Sequence, residues 1–472
     1  MITKKKSAVR LNIPATASLW YSLSNVISRG ATFIFTSLFT RILSPAEYGM
    51  HSVYTSYIGI FTVLTTLEIS GNAAYLGLSR FEGENKDRFI SSAIGLQFFL
   101  TVASFTVYML FRGPINGATT LTTEITLLLF LQVLINSVEG IYFAKKRYSY
   151  DYKPVVLINV VSGIISPLLA VILIRLGYGE ISRITAPLAV GIAFILPIIF
   201  ETLKRNRTLF SIDTWKFLLS VCLPMLPHYL ALSVIAQNDK IIIAKTLGEA
   251  AVGKYSVAYS VGYMLSLLTG GLALGFAPWM IRKLKAGQID KIKDSLSASI
   301  GTISALTLIF LVAVPEIFGF LAPSEYIAAL PVIYPVSASV TFAFLSSLLT
   351  SAILCSNRAT LLSKNTVLTA IISVVLSFIF IRKFGLIGGA CSTFLSYLIL
   401  FLLNLSTAKR LLGENLISVR ALLKCISILL FFVPLLFILR GVILSRILLF
   451  FAFILIFAPD LKRCRTLLNI KK

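Results

Sequence analysis

Histidine occurs only twice in this chain, at His51 and His228, and the five cysteines, Cys222, Cys355, Cys391, Cys425 and Cys464, are scattered. No two cysteines form a CxxC pair, and only Cys222 stands near a histidine. A zinc-ligand set and a cysteine–histidine nucleophile are therefore not expected, nor is any other cofactor, and the cysteines read as small apolar packing residues. Acidic residues are scarce, at 19 Asp and Glu against 43 Lys and Arg. Loops are scarcer still. The longest stretches outside apolar segments include 1–17, 204–215 and 282–295. None has room for a soluble catalytic domain, so an enzyme is not expected.

Apolar sequence fills the rest. The chain is 57% hydrophobic and 13% charged, with a mean hydropathy of +0.90. A helix needs about 20 mostly apolar residues to cross a hydrocarbon core roughly 30 Å thick. Fourteen segments qualify: 18–41, 49–76, 89–111, 121–144, 154–176, 184–203, 216–239, 252–278, 296–320, 330–355, 363–381, 386–407, 422–440 and 444–459. The apolar run of the first is too long for a cleaved signal and reads as an anchor. The N-terminal tail, the gaps after even-numbered spans and the C-terminal tail hold 31 Lys and Arg, and the gaps after odd-numbered spans hold 11. That asymmetry places both termini in the cytoplasm of a multi-pass protein of the cytoplasmic (inner) membrane. The net charge of +24 is assigned to short basic loops facing anionic membrane lipids rather than to nucleic acid.

The chain repeats at an offset of 204. Arg41, Leu43, Ala46, Gly49, Ser52, Val53 and Ser56 align with Lys245, Leu247, Ala250, Gly253, Ser256, Val257 and Ser260, after span 1 in one copy and after span 7 in the other. Six spans separate the copies, so both share one orientation. The expected fold is all-α and integral to the membrane, with two six-helix lobes related by a pseudo-two-fold axis along the membrane normal and two further C-terminal helices. The expected parts are an N-tail (1–17), an N-lobe (18–203), a linker (204–215), a C-lobe (216–407), two added helices (422–459) and a basic tail (460–472). Such lobes can enclose a cleft that opens to alternate sides.

Ionisable groups inside spans cost about 2.5–3.5 kcal/mol each on insertion scales and mark protein interiors or water-filled paths. Arg29 lies mid-span with Ser22, Asn25 and Thr36 on one broad face. It either lines the cleft or is buried against backbone carbonyls. Glu68 shares a face with Asn72 and Tyr75, and either pairs with Arg29 or titrates during transport. Glu139 follows Gln132 and Asn136 on one face, a stripe suited to interhelical hydrogen bonding or to ion coupling. Asp239 and Lys240 follow Gln237 and Asn238 late in span 7; as neighbours they point about 100° apart. Pro224 and Pro227, beside His228, bend that span, either as a hinge or as a fixed entrance. Arg29, Lys240, Arg41 and Lys245 could together receive phosphate oxygens, although Arg41 and Lys245 could equally anchor helix ends to headgroups.

The span-1 ending Thr40-Arg41-Ile42-Leu43-Ser44-Pro45-Ala46-Glu47-Tyr48-Gly49, the span-7 ending from Asp239-Lys240 to Gly253-Lys254-Tyr255, and the Gly-rich stretch Phe384-Gly385-Leu386-Ile387-Gly388-Gly389-Ala390 resemble polysaccharide flippases. These are the O-antigen or capsule repeat-unit exporters (Wzx type) of the multidrug/oligosaccharidyl-lipid/polysaccharide (MATE-like) superfamily. The resemblance implies export of an oligosaccharide linked to undecaprenyl pyrophosphate by alternating access, with a cationic cavity to which Arg29 and Lys240 contribute, and with polymerase and chain-length proteins as possible partners. Glu68, Glu139 and Asp239 are the candidates for coupling to an ion gradient. Rival readings are a multidrug exporter of the same fold, disfavoured by the positive charge, and a membrane polysaccharide polymerase or ligase, disfavoured by the short outer gaps.

Overall fold

The computed structural model describes residues 3–83, 85–356, 358–413 and 416–468. The last four residues of the expected basic tail, 469–472, lie outside the described residues. The chain divides into two compact units, Met1–Ser233 and Val234–Lys472, with the boundary inside one long helix. Among the described residues eight stretches have the length and hydropathy to cross a membrane, and two of these, Tyr152–Arg205 and Ala359–Leu412, each contain two of the expected spans.

In the first unit α1 (Thr3–Ile42), α2 (Pro45–Thr66), α3 (Ala74–Arg80), α4 (Asn85–Leu110) and α5 (Arg112–Thr119) are followed by α6 (Thr123–Tyr148), α7 (Tyr152–Leu173), α8 (Ser182–Arg205) and the start of α9 (Ile212–Leu247). The Ser44-Pro45-Ala46-Glu47 motif is a helix start. Glu47 donates its N–H to the Ser44 hydroxyl at 3.3 Å, and Ser44 donates its N–H to the Glu47 carboxylate at 2.7 Å. Two orphan amides are thereby satisfied reciprocally, with Pro45 supplying a helical φ at the first turn. Small residues set the interhelical spacing. Ser28 of α1 donates its hydroxyl to the Asn159 carbonyl of α7 at 2.8 Å, and a Cβ at Gly163 would strike Ser28. Helix α6 is the axis of this unit, contacting α2, α4, α7 and α8. Lys145 pairs with Asp87 at 2.5 Å, and Lys146 with Asp151 at 3.0 Å and Glu201 at 3.6 Å, so the bases of α4, α6 and α8 are pinned together. The linker following α8 is fixed as well. Trp215 donates its indole N–H to the Ser92 carbonyl at 3.0 Å, and Gly95 lies against the Leu209 backbone.

In the second unit the rest of α9 leads into α10 (Glu249–Tyr263), α11 (Leu265–Lys285), α12 (Ile289–Val312), α13 (Val314–Leu321), α14 (Ile333–Cys355), α15 (Ala359–Leu412), α16 (Val419–Ile438) and α17 (Ile443–Leu468). Helix α14 is its buried axis, as α6 is in the first unit. Pro45, which opens α2, and Glu249, which opens α10, are separated by the offset of the sequence repeat. The Gly-rich stretch is a reversal. Gly385 adopts φ 60° and ψ −136°, and beyond it Gly388 packs so tightly on the Phe380 carbonyl that no Cβ could fit. Only glycine tolerates both demands. The last two helices pack on α12. Arg446 of α17 forks onto Glu316, donating from Nη1 at 2.8 Å and from Nη2 at 2.5 Å, and also donates to the Val312 carbonyl at 2.8 Å.

Two of the breaks in the spans fall where no proline stands, whereas the break of span 296–320 at Ala313, between α12 and α13, is followed by Pro315 in the first turn of α13. The expected span 49–76 is interrupted after α2 by Leu67 (φ 50°) and Glu68 (φ 55°), then by a π-helical turn, Ile69–Ala73, with Gly71 non-helical. Span 252–278 is divided at Met264 between α10 and α11. By contrast α9 runs as one continuous helix through Pro224 and Pro227. A proline removes one intrahelical bond, and neighbouring helices in a membrane bundle can absorb that loss without ending the helix.

Candidate functional site

The second unit holds a buried polar network centred on Asp239 of α9, which is 1% exposed. Tyr255 of α10 donates its hydroxyl to Asp239 Oδ2 at 2.5 Å, and Thr393 of α15 donates to the same oxygen at 3.1 Å. The Lys240 N–H donates to Oδ1 at 2.7 Å. One position earlier, Asn238 donates to Ser373 at 2.8 Å and accepts from Ser377 at 2.8 Å, and Ser377 meets Ser392 at 2.9 Å. The carboxylate is thus held by hydroxyls from two other helices. Among the described residues no cation lies within ion-pair distance of it. The Lys240 ammonium points elsewhere. It donates to Gln237 at 3.3 Å and sits 4.6 Å from the centroid of the Tyr259 ring, a cation–π contact. Tyr259 in turn stacks on Tyr263 at 5.8 Å. A carboxylate held this way can take up a proton or a small cation without rebuilding its surroundings, because the hydroxyl groups can reorient.

In the first unit the expected groups are distributed rather than clustered. Glu68 is half-buried in the break between α2 and α3, held in the left-handed region beside Leu67. Two successive non-glycine residues there store of order 1–3 kcal/mol each, a pattern concentrated at functional sites. The broken segment also meets α6 beside the second expected carboxylate. Gly140, next to Glu139, lies so close to Ser70 that a Cβ would come within 2.7 Å of it. Farther along α6, Gln132 donates to Asn136 at 2.7 Å, so the polar stripe bonds along its own helix rather than across helices. Arg29 and Glu68 form no ion pair; Arg29 is exposed on α1 with Asn25 and Ser22, while Thr36 is buried and donates to the Thr32 carbonyl. Arg41 and Lys245 are both exposed at the ends of α1 and α9. Pro224 and Pro227 are exposed within α9, and His228 between its neighbours is buried.

The sequence pointed to Asp239 and Lys240 but not to Tyr255, Thr393, Ser373 and Ser377, which complete the network. Tyr255 closes the span-7 stretch that carries the family resemblance, and its spacing from Asp239 across a glycine turn was the available signal.

Repeated helical units, spans interrupted at strained residues and a hydroxyl-held carboxylate inside a spanning helix define a multi-pass membrane protein with a MATE-like fold. Comparison with known proteins makes the assignment narrower: the chain belongs to the polysaccharide biosynthesis protein family, whose model matches residues 16–282. It is 22% identical over 396 residues to a probable low-salt glycan biosynthesis flippase, Agl15, of Haloferax volcanii, covering 81% of each chain. Among solved structures it resembles the lipid II flippase MurJ in an inward closed conformation, with TM-score 0.65 and 18% identity over 94% of this chain and 99% of that one. It also resembles an inward-facing multidrug resistance MATE family transporter of the MOP superfamily, with TM-score 0.62 and 16% identity over 86% and 99% of the two chains.

Proposed function

We propose that this protein is a flippase that carries a lipid-linked oligosaccharide from one leaflet of the membrane to the other. The observation that carries the reading is the match along 81% of both chains to a relative named as a glycan biosynthesis flippase. The physical problem agrees with it. Sugars and phosphates cannot cross hydrocarbon unaided, since each unsatisfied polar group costs several kcal/mol there. The finer proposal is that the carrier is undecaprenyl pyrophosphate, that the repeat units feed O-antigen, capsule or exopolysaccharide assembly at the cytoplasmic membrane with both termini cytoplasmic, and that transport proceeds by alternating access. Polymerase and chain-length proteins would then act downstream.

In this reading Arg29, with Asn25, Arg41, Lys240 and Lys245, supplies positive and polar contacts for pyrophosphate and sugar. Asp239 is the foremost candidate for ion coupling, because its carboxylate is buried, hydroxyl-held and, among the described residues, without an ion-pair partner; Glu68 and Glu139 are secondary candidates. Pro224 and Pro227 remain proposed hinge positions. The multidrug-exporter alternative draws on the shared fold with MATE transporters, but the proposed positive cleft would disfavour organic cations.

The test is a deletion strain complemented with this gene. Without the protein, lipid-linked repeat units should accumulate on the cytoplasmic side and surface glycan should disappear; complementation should reverse both. Normal surface glycan in the deletion strain, with no accumulated intermediate, would overturn the proposal.

A further inference from the structure

At the turn between α11 and α12 a pocket of about 520 Å³ is lined by Trp279, Arg282, Lys283, Gln288, Lys291, Asp294 and Ser295. Arg282 and Lys291 are exposed. Lys283 is held in place by its donation to Gln288 at 2.8 Å. Trp279 packs against Phe276 with ring centroids 5.0 Å apart. Ser295, 1% exposed, carries a buried hydroxyl that has no hydrogen-bond partner. Buried polar groups are almost always paired, so an unpaired hydroxyl lining a polar pocket points to a ligand that completes it.

We infer that this pocket is a binding site for the phosphate of an anionic phospholipid headgroup. Three cations surround the space against one carboxylate, Asp294, so the local balance favours an anion. The orphan Ser295 hydroxyl supplies a neutral donor for a phosphate oxygen, and the Arg282 guanidinium offers a planar fork to two of them. Trp279 argues for a lipid over a free anion. It stands on α11 just past the expected span 252–278 and just before the basic turn, where an indole prefers the headgroup layer. The turn belongs to the basic set of gaps, the side on which juxtamembrane cations meet anionic lipid. The site lies wholly in the second unit, shares no residue with the Asp239 network and does not depend on the glycan reading.

The test uses the full-length protein and titrates phosphatidylglycerol by native mass spectrometry, with phosphatidylcholine and inorganic phosphate as parallel probes. Phosphatidylglycerol is expected to bind and phosphatidylcholine to bind weakly. Arg282→Ala with Lys291→Ala should weaken phosphatidylglycerol binding about 30-fold, at about fivefold per cation near an anionic surface. Ser295→Ala should weaken it about tenfold, and Asp294→Asn should strengthen it. The paired substitution Lys145→Ala with Lys146→Ala, at the other basic turn, should leave it unchanged. The proposal is overturned if the Arg282 and Lys291 variant binds phosphatidylglycerol as the unaltered protein does, if both basic turns contribute equally, or if inorganic phosphate competes with the lipid at equal concentration. Because the altered side chains at Arg282 and Lys291 are exposed, loss of binding in that variant with an unchanged melting temperature separates the site from a folding defect.

Discussion

Replacing Asp239 separates its structural from its functional contribution. In Asp239→Ala the Tyr255 hydroxyl loses its acceptor in a fully buried position. Thr393 does not, since it also donates to the Gly389 carbonyl at 3.1 Å. One stranded buried hydroxyl costs about 1–3 kcal/mol, to which the cavity left by the carboxylate adds a smaller amount. Asp239→Asn with its amide oxygen in the Oδ2 position still accepts from Tyr255 and Thr393, and loses only the bond from the Lys240 N–H, which its NH2 would then face, so its stability loss should be about 1 kcal/mol. The two variants should therefore differ clearly in folded fraction after heating, measured by size-exclusion in detergent. Transport should not follow that order. If the carboxylate couples an ion to translocation, both variants lose gradient-driven glycan export, by about ten- to a hundredfold for a coupling free energy of ordinary size. Asp239→Asn that folds well and exports at the unaltered rate would refute the coupling role and leave Asp239 as a packing element.

Arg29→Ala should abolish surface-glycan export with membrane abundance unchanged, and Arg29→Lys should retain part of the activity if positive charge is sufficient; normal glycan on Arg29→Ala cells would dismiss the role. Glu68→Gly should relieve the left-handed backbone at the α2–α3 break and raise thermal stability by about 1 kcal/mol, net of the extra chain entropy of glycine; a lower melting temperature would show that the carboxylate, not the backbone, dominates there. Gly388→Ala should destabilise the second unit by about 1–3 kcal/mol, because the added methyl meets the Phe380 carbonyl with no flexible atom to give way. A melting temperature equal to that of the unaltered protein would mean that the reversal at Gly385 is looser than its geometry implies.

The spans, the repeat and the reversal at Gly385 were legible in the sequence because each is written locally. Length and hydropathy mark a crossing helix, and a glycine pair between apolar runs marks a turn. The Ser44–Glu47 capping box lies inside the stretch that carries the family resemblance, and its local purpose is to start α2. The network around Asp239 was not legible. Its partners come from α10 and α15, and Thr393 is 154 positions away. Nothing in an apolar chain distinguishes that threonine from those that merely donate to the preceding turn, as Thr366 and Thr369 do. The interruption at Leu67 and Glu68 was not legible for a related reason: it has no composition signal because its residues are ordinary helix formers, whereas α9 runs as one helix through Pro224 and Pro227.

The two carboxylates that matter most are treated in opposite ways. Asp239 lies in an unbroken helix with ordinary backbone geometry and three donors, so its carboxylate is fixed in position. Glu68 has a strained backbone: its N–H donates to the Thr66 hydroxyl at 3.2 Å and its carbonyl accepts from the Gly71 N–H at 3.0 Å, while among the described residues its carboxylate makes no hydrogen bond. A side chain with no fixed partner, on a segment that already forgoes regular helical bonding, has less to lose when that segment rearranges. A change at Asp239 must cross a network shared by three helices, whereas a change at Glu68 need only re-form one turn against Ser70 and Gly140. On that division we propose that Asp239 is the place to hold a coupling ion and the α2–α3 break the place to answer a substrate.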